Sequence, residues 1–403
     1  VQWAKWLAVS AAGALVLGVS INASADGSGP SSPPAMAATS SSARSEPSPA
    51  AVTAAPTTTS APVTAPSGPP AAERRLTLAQ TIGGKISPKS VMDSGTGLVF
   101  AQNMIYSHTI TVYDAAGNLK ATIADSVRPS DFGVAGRTAV VKGGPVEADF
   151  TSDGRYAYVS NYSMYGPGYN HPGDDVCSPR SGVDNSFVYR IDTQKLAIDQ
   201  LIGVGAVPKY VRVTHDDKRV LVSNWCSYDL SVIDAASGHE IKRIPLGRYP
   251  RGIVVSNDNR TAYVAVMGTR DIARVSLQDF SVSWIRNVGS GPRHLVMSPD
   301  GSTIYATLNA DDSVVRIDVA TGKVTGKVVT GHRPRSMDIS PDGTALYVVN
   351  YESSTMSKVR TSDLKVLQSV PTRVHPIGIT YEPTTGDIWV ACYRGTIMRF
   401  SDK

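Results

Sequence analysis

Seven prolines recur along the chain, at 88, 145, 208, 250, 292, 334 and 376, and the residue after each holds one repeated position. That position is Lys89, Val146, Lys209, Arg251, Arg293, Arg335 and Ile377, so five of the seven are cations. Cations brought together between walls of low dielectric attract an anion. His294 stands beside Arg293, and Tyr162, Tyr210 and Trp225 fall near the same face of the repeat, where aromatic faces could stack on bases or sugars. The competing assignment is structural: the arginines could bond carbonyls of a neighbouring element, and the aromatic residues could fill gaps between elements.

Catalytic signatures are missing from the sequence. It has no G-x-S-x-G, no H-E-x-x-H, no C-x-x-C-H and no phosphate-binding glycine loop. The seven histidines are scattered, so no catalytic residue, no metal ligand and no cofactor is assigned. His171, Asp174, Asp175 and Asp184 lie close in sequence and could hold a cation, although a solvated polar loop explains them better.

Positioning these residues requires a repeating scaffold. Five of the prolines stand 42 residues apart, and between them fall four short apolar runs separated by turn residues. From Pro292 the runs are HLVM, TIYATL, SVVRID and KVTGKVV, divided by SPDG, NADD and DVATG. A period of about 40–45 residues with four strands per copy predicts propeller blades. Apolar runs without alternation, such as IVV at 253–255, fit strands buried on both faces between neighbouring blades. Aspartates at 114, 192, 234 and 318 end the third run, where a carboxylate can accept from N–H groups of the next turn. The seventh copy stops after three strands, and LTLAQTI at 76–82 ends six residues before Pro88, as fourth strands do elsewhere. The expected fold is therefore an all-β, seven-bladed β-propeller of four-stranded blades, closed by its N-terminal strand.

SPDG-like turns followed by YVVN (347–350), YVSN (158–161) and LVSN (221–224), then VID or RID, resemble the YVTN-repeat, or YncE-like, β-propeller family over roughly residues 76–403. The resemblance implies the propeller fold. It leaves function open, since such propellers include binding proteins, DNA-binding candidates and enzymes. GPRHLVMSPDG, around His294, is also similar to lactonase-type propellers.

Residues 6–21 form an apolar run after Lys5, and Ala23-Ser24-Ala25 matches a cleavage site. Residues 1–25 thus read as a secretory signal peptide, or as an uncleaved membrane anchor. Residues 26–73, rich in Pro, Ala, Ser and Thr, read as a disordered linker, and 74–403 as the propeller. Bulk properties add little: 403 residues, 18% charged, net charge +5.

Two copies are longer than the rest. The excess lies between Ile123 and Pro145 in the first and after Asn161 in the second, and both insertions belong to loops at one end of the ring. Cys177 lies in the second insertion and Cys226 two residues past Asn224, one blade away, which predicts a disulfide in an oxidising compartment. Cys392, inside a packed strand, is expected buried and unpaired.

The resulting expectation is an extracytoplasmic, monomeric binding module, secreted or anchored outside the plasma membrane. Its ligand would be an anionic polymer, either nucleic acid (single-stranded DNA included) or envelope polysaccharide, or else a partner protein of the envelope. Membrane contact is expected only through the N-terminal segment. The alternative is a lactone hydrolase or lyase, which converging His and carboxylate groups at the channel mouth would favour.

Overall fold

The computed structural model describes residues 68–403. The signal segment, and the linker up to residue 67, lie outside the described residues. Among these residues no helix is long and apolar enough to cross a membrane.

Seven antiparallel sheets follow one another along the described residues. Their innermost strands begin at or near the recurring prolines: Pro88–Asp93, Val141–Phe150, Pro208–Val213, Pro250–Val255, Pro292–Met297, Pro334–Ile339 and Pro376–Glu382. Each packs on the innermost strands of the two neighbouring blades, and the first packs on the last, so the ring is closed. Pro250–Val255 and Ala345–Asn350 are buried at every residue, whereas the outer strand Val324–Val329 alternates between exposed and partly buried positions. Cores form between adjacent blades: Leu230, Val232, Ile253 and Val264, from the third and fourth, are all fully buried. Each such side chain contributes about 1.5–3 kcal/mol.

The last blade is made as expected. Leu76–Ile82 pairs antiparallel with the final strand Thr396–Asp402, Leu76 opposite Asp402 and Ile82 opposite Ile397. One boundary moves. Residues 71–73 form a 3₁₀ turn rather than linker, because Ala71 is buried and its N–H donates to the Asp342 carboxylate at 2.7 Å. The second blade also gains a fifth short strand, Ser126–Val127, from the first insertion.

The turn aspartates act as caps: Asp234 and Asp318 each accept an N–H three residues on, both at 2.8 Å. The asparagine of the YVxN runs stands opposite the blade proline, in the pairs Pro208↔Asn224 and Pro334↔Asn350. Its buried amide then donates to side chains of the third strand, as Asn224 does to Ser231 at 2.8 Å.

Candidate anion-binding site

The entry into each blade aims the ring residues. Immediately before the proline the chain turns left-handed, at Val207, Tyr249, Gly291, Arg333 and His375. Their carbonyls accept the N–H of Trp225, Met267, Asn309, Tyr351 and Tyr393, in each case the first residue after the neighbouring strand. A β-branched residue at φ 57°, as at Val207, is strained, and such strain persists only where the surroundings over-determine it. Directly after the proline the pairing register slips in all seven blades, so the following residue stands in a bulge. Bulges re-aim side chains in this way.

These residues converge, but not as a surface rim. Lys89, Lys209, Arg251 and Arg293 are buried, and Arg335 is partly buried. The bulge turns them inward, below the loops. Glu147, two residues after Pro145, stands among them, 3.4 Å from Lys89 and 3.8 Å from Arg251. Asp175, from the second insertion, lies 2.7 Å from Lys209. Both insertion and ring thus occupy one end of the channel.

The arginines do not brace their neighbours. The ring carbonyls are taken by hydroxyls instead: Ser90 donates to Val146, Ser223 to Arg251, Thr307 to Arg335 and Ser336 to Ile377, at 2.7–3.0 Å. Arg293 reaches only the Met267 sulfur, at 3.9 Å, and its Nε has no partner among the described residues. The Arg335 Nε is likewise without one, and this guanidinium lies 4.1 Å from the centre of the Tyr351 ring. Burial, with Arg251 and Arg335 beside it, holds the Arg293 pKa well below its ordinary value. A buried charge without a counter-charge is costly. The mouth therefore has two sides, one with Glu147 and Asp175 in ion-pair contact, the other, at Arg293 and Arg335, with no carboxylate within ion-pair distance among the described residues, although Glu147, Asp175 and Glu352 act on it from farther off.

Burial pushes Lys209 down to about 8, against the attraction of Asp175. Its ammonium lies over the rings of Tyr162 and Trp225, at 4.3 and 4.9 Å. The Tyr162 hydroxyl donates to Asp175 at 3.3 Å. His294 is partly buried, and desolvation together with Arg212, Arg251, Arg293 and Lys89 lowers its pKa well below the usual value, leaving a neutral imidazole.

Two aromatic assignments change. Tyr210 is buried edge-on to His294, centroids 5.3 Å apart, and its hydroxyl accepts from Arg212 at 2.9 Å. Trp225 is buried and stacks on Tyr249 at 4.3 Å, its indole N–H donating to the Asp175 carbonyl at 3.3 Å. Neither offers a free face. Tyr351, stacked on His375 and under Arg335, and Tyr393 are partly buried aromatics on this side of the mouth.

The disulfide joins Cys177 to Cys226, Cα atoms 5.3 Å apart, and Cys392 is buried and free. His171, Asp174, Asp175 and Asp184 do not gather: the His171 backbone N–H donates to Asp184 at 2.8 Å, while Asp175 faces Lys209. Among the described residues no three ligating side chains form a metal set.

Residues 245–375 match the family described as Lactonase, 7-bladed beta-propeller, a stretch that includes the fourth, fifth and sixth blades. No curated protein matches the chain. Together with the architecture, that match makes the protein a seven-bladed β-propeller, similar across three blades to the lactonase propellers.

Proposed function

We propose that this protein is an extracytoplasmic binding module that takes an acidic group into its channel mouth. The observation that carries the reading is Arg293, a buried guanidinium whose Nε has no hydrogen-bond partner and which has no carboxylate within ion-pair distance among the described residues, next to Arg335. A carboxylate or phosphate between them would supply the charge and the acceptor atoms that both Nε groups lack. Because these cations are recessed, only a projecting group reaches them. Pendant carboxylates of an acidic envelope polysaccharide project in that way. Phosphodiesters inside a nucleic-acid strand do not, which ranks single-stranded DNA lower. Tyr351 and Tyr393 supply faces for a sugar ring. The signal-like N-terminus and the disulfide support an oxidising compartment.

The test is titration with an oligogalacturonate and with oligodeoxythymidylate across a range of salt. Binding of the former that weakens steeply with salt, and is lost in Arg293→Met, supports the reading; binding of neither overturns it.

A lactone hydrolase is the second reading. It is favoured by the lactonase match over residues 245–375, and by the neutral His294 and the carboxylate of Glu147 within one cationic mouth. Those groups could move protons while the arginines hold an acidic substrate. Turnover of an aldonic-acid lactone, abolished in His294→Ala, would favour it over simple binding.

A further inference from the structure

The two carboxylates in the mouth are held differently. Glu147 is walled in, its side chain 7% exposed, and it is a fixed counter-charge for Lys89 and Arg251. Asp175 is 75% exposed on its side chain, yet its carboxylate faces a lysine that is 7% exposed. Solvent can therefore reach one partner of this pair and not the other. Apart from Asp175, no carboxylate lies within ion-pair distance of Lys209 among the described residues.

The insertion is built to hold Asp175 there. Cys177, two residues on, is tied to Cys226. The Trp225 indole donates to the Asp175 carbonyl at 3.3 Å, and the Tyr228 hydroxyl to the Cys177 carbonyl at 2.8 Å. The carboxylate is thereby presented to the mouth from a loop outside the repeat.

We propose that the Lys209 side of the mouth is a second anion subsite, filled in the free protein by the chain's own Asp175 carboxylate, which an incoming acidic group displaces. The inference rests on the anion-binding reading above and names its ligand class: a compound with two acidic groups, one for Arg293 and Arg335, the other for Lys209. A ligand with a single acidic group fills the first subsite and leaves Asp175 in place. For a two-headed anion, the apparent affinity is the intrinsic one reduced by the fraction of molecules in which Asp175 has left Lys209.

Inorganic pyrophosphate, with two charged ends, is the probe, titrated calorimetrically into the full chain. Asp175→Asn keeps the shape and removes the competing charge; it is expected to bind about tenfold tighter, as follows if Asp175 is seated roughly nine-tenths of the time. Cys177→Ser/Cys226→Ser frees the loop and is expected to move affinity in the same direction, which keeps the test valid if Asp175→Asn alone fails to fold. Equal or weaker binding in both variants, with Arg293→Met still losing the probe, overturns the self-occupied subsite and leaves the anion site standing. Absence of binding in wild type and in every variant overturns both.

Discussion

The ammonium of Lys358 lies 2.6 Å from the carboxylate of Asp402, and neither side chain has exposed surface. Lys358 belongs to the third strand of the sixth blade, and Asp402 ends the last strand of the seventh. Lys358 also donates to the Arg74 carbonyl at 2.8 Å, and the Tyr347 hydroxyl donates to Asp402 at 2.5 Å. One buried ion pair therefore joins the sixth blade, the C-terminal strand and the segment leading into the closing strand.

Removing one member of this pair strands the other. Lys358→Ala should lower unfolding free energy by about 3–5 kcal/mol in urea titration, because it leaves Asp402 buried without its cation. Lys358→Met combined with Asp402→Leu should recover most of the loss. A single variant as stable as wild type would mean that water reaches the pair.

Arg293→Met separates function from stability in the opposite sense. Replacing a buried guanidinium that has no ion-pair partner by an apolar side chain of similar length should leave the melting temperature unchanged or raise it, a gain of up to about 1–4 kcal/mol. Anion binding should disappear in the same variant. A marked fall in stability with binding retained would assign Arg293 to structure.

The disulfide is checked by peptide mapping without reductant. Cys177 and Cys226 should resist alkylation in the native protein and Cys392 should react only after unfolding, since it is fully buried. Losing the bridge should cost about 2–4 kcal/mol, as expected for closing a loop of this size.

Asp125 should give the pH profile a recognisable slope. It is fully buried, and desolvation pushes it up to about 7, although its Oδ1 accepts the Gly143 N–H at 3.1 Å. In the unfolded chain it titrates near about 3.9. Between those values the folded form holds a proton that the unfolded form has released. Its contribution is therefore most favourable below about pH 4 and is lost as pH rises through about 7. Asp125→Asn should remove that slope and gain stability above pH 7, on the order of 2–4 kcal/mol relative to wild type. Identical pH profiles for the two proteins would contradict this.

The fold was legible because every blade opens with a proline that can start but not continue a ladder, and because most blades repeat an asparagine opposite it or an aspartate capping the third turn. Closure was legible because the seventh copy lacks a fourth strand and 76–82 has the register of one. The channel mouth was legible in position but not in depth. Spacing shows that Lys89, Lys209, Arg251, Arg293 and Arg335 share a register; it does not show that a bulge turns them inward. Glu147 was overlooked because it is two residues after its proline, a place held elsewhere by Ser, Tyr, Gly and His. It was in principle visible as a lone carboxylate on an innermost strand. Asp175 had no register to be read from, since the shape of its loop depends on Cys226, Trp225 and Tyr228 in the next blade.

The pairing of Leu76–Ile82 with Thr396–Asp402 has a consequence for how the molecule is made. The first strand of the domain to leave the ribosome finds its partner only when the last one has emerged. Blades can collapse in order during synthesis, but the ring cannot shut until then, and contacts so distant in sequence form slowly. A chain truncated by one strand would lack the partner its beginning is waiting for. Emergence of Thr396–Asp402 is thus the event that licenses the channel, and with it the cluster of cations at its mouth, to exist.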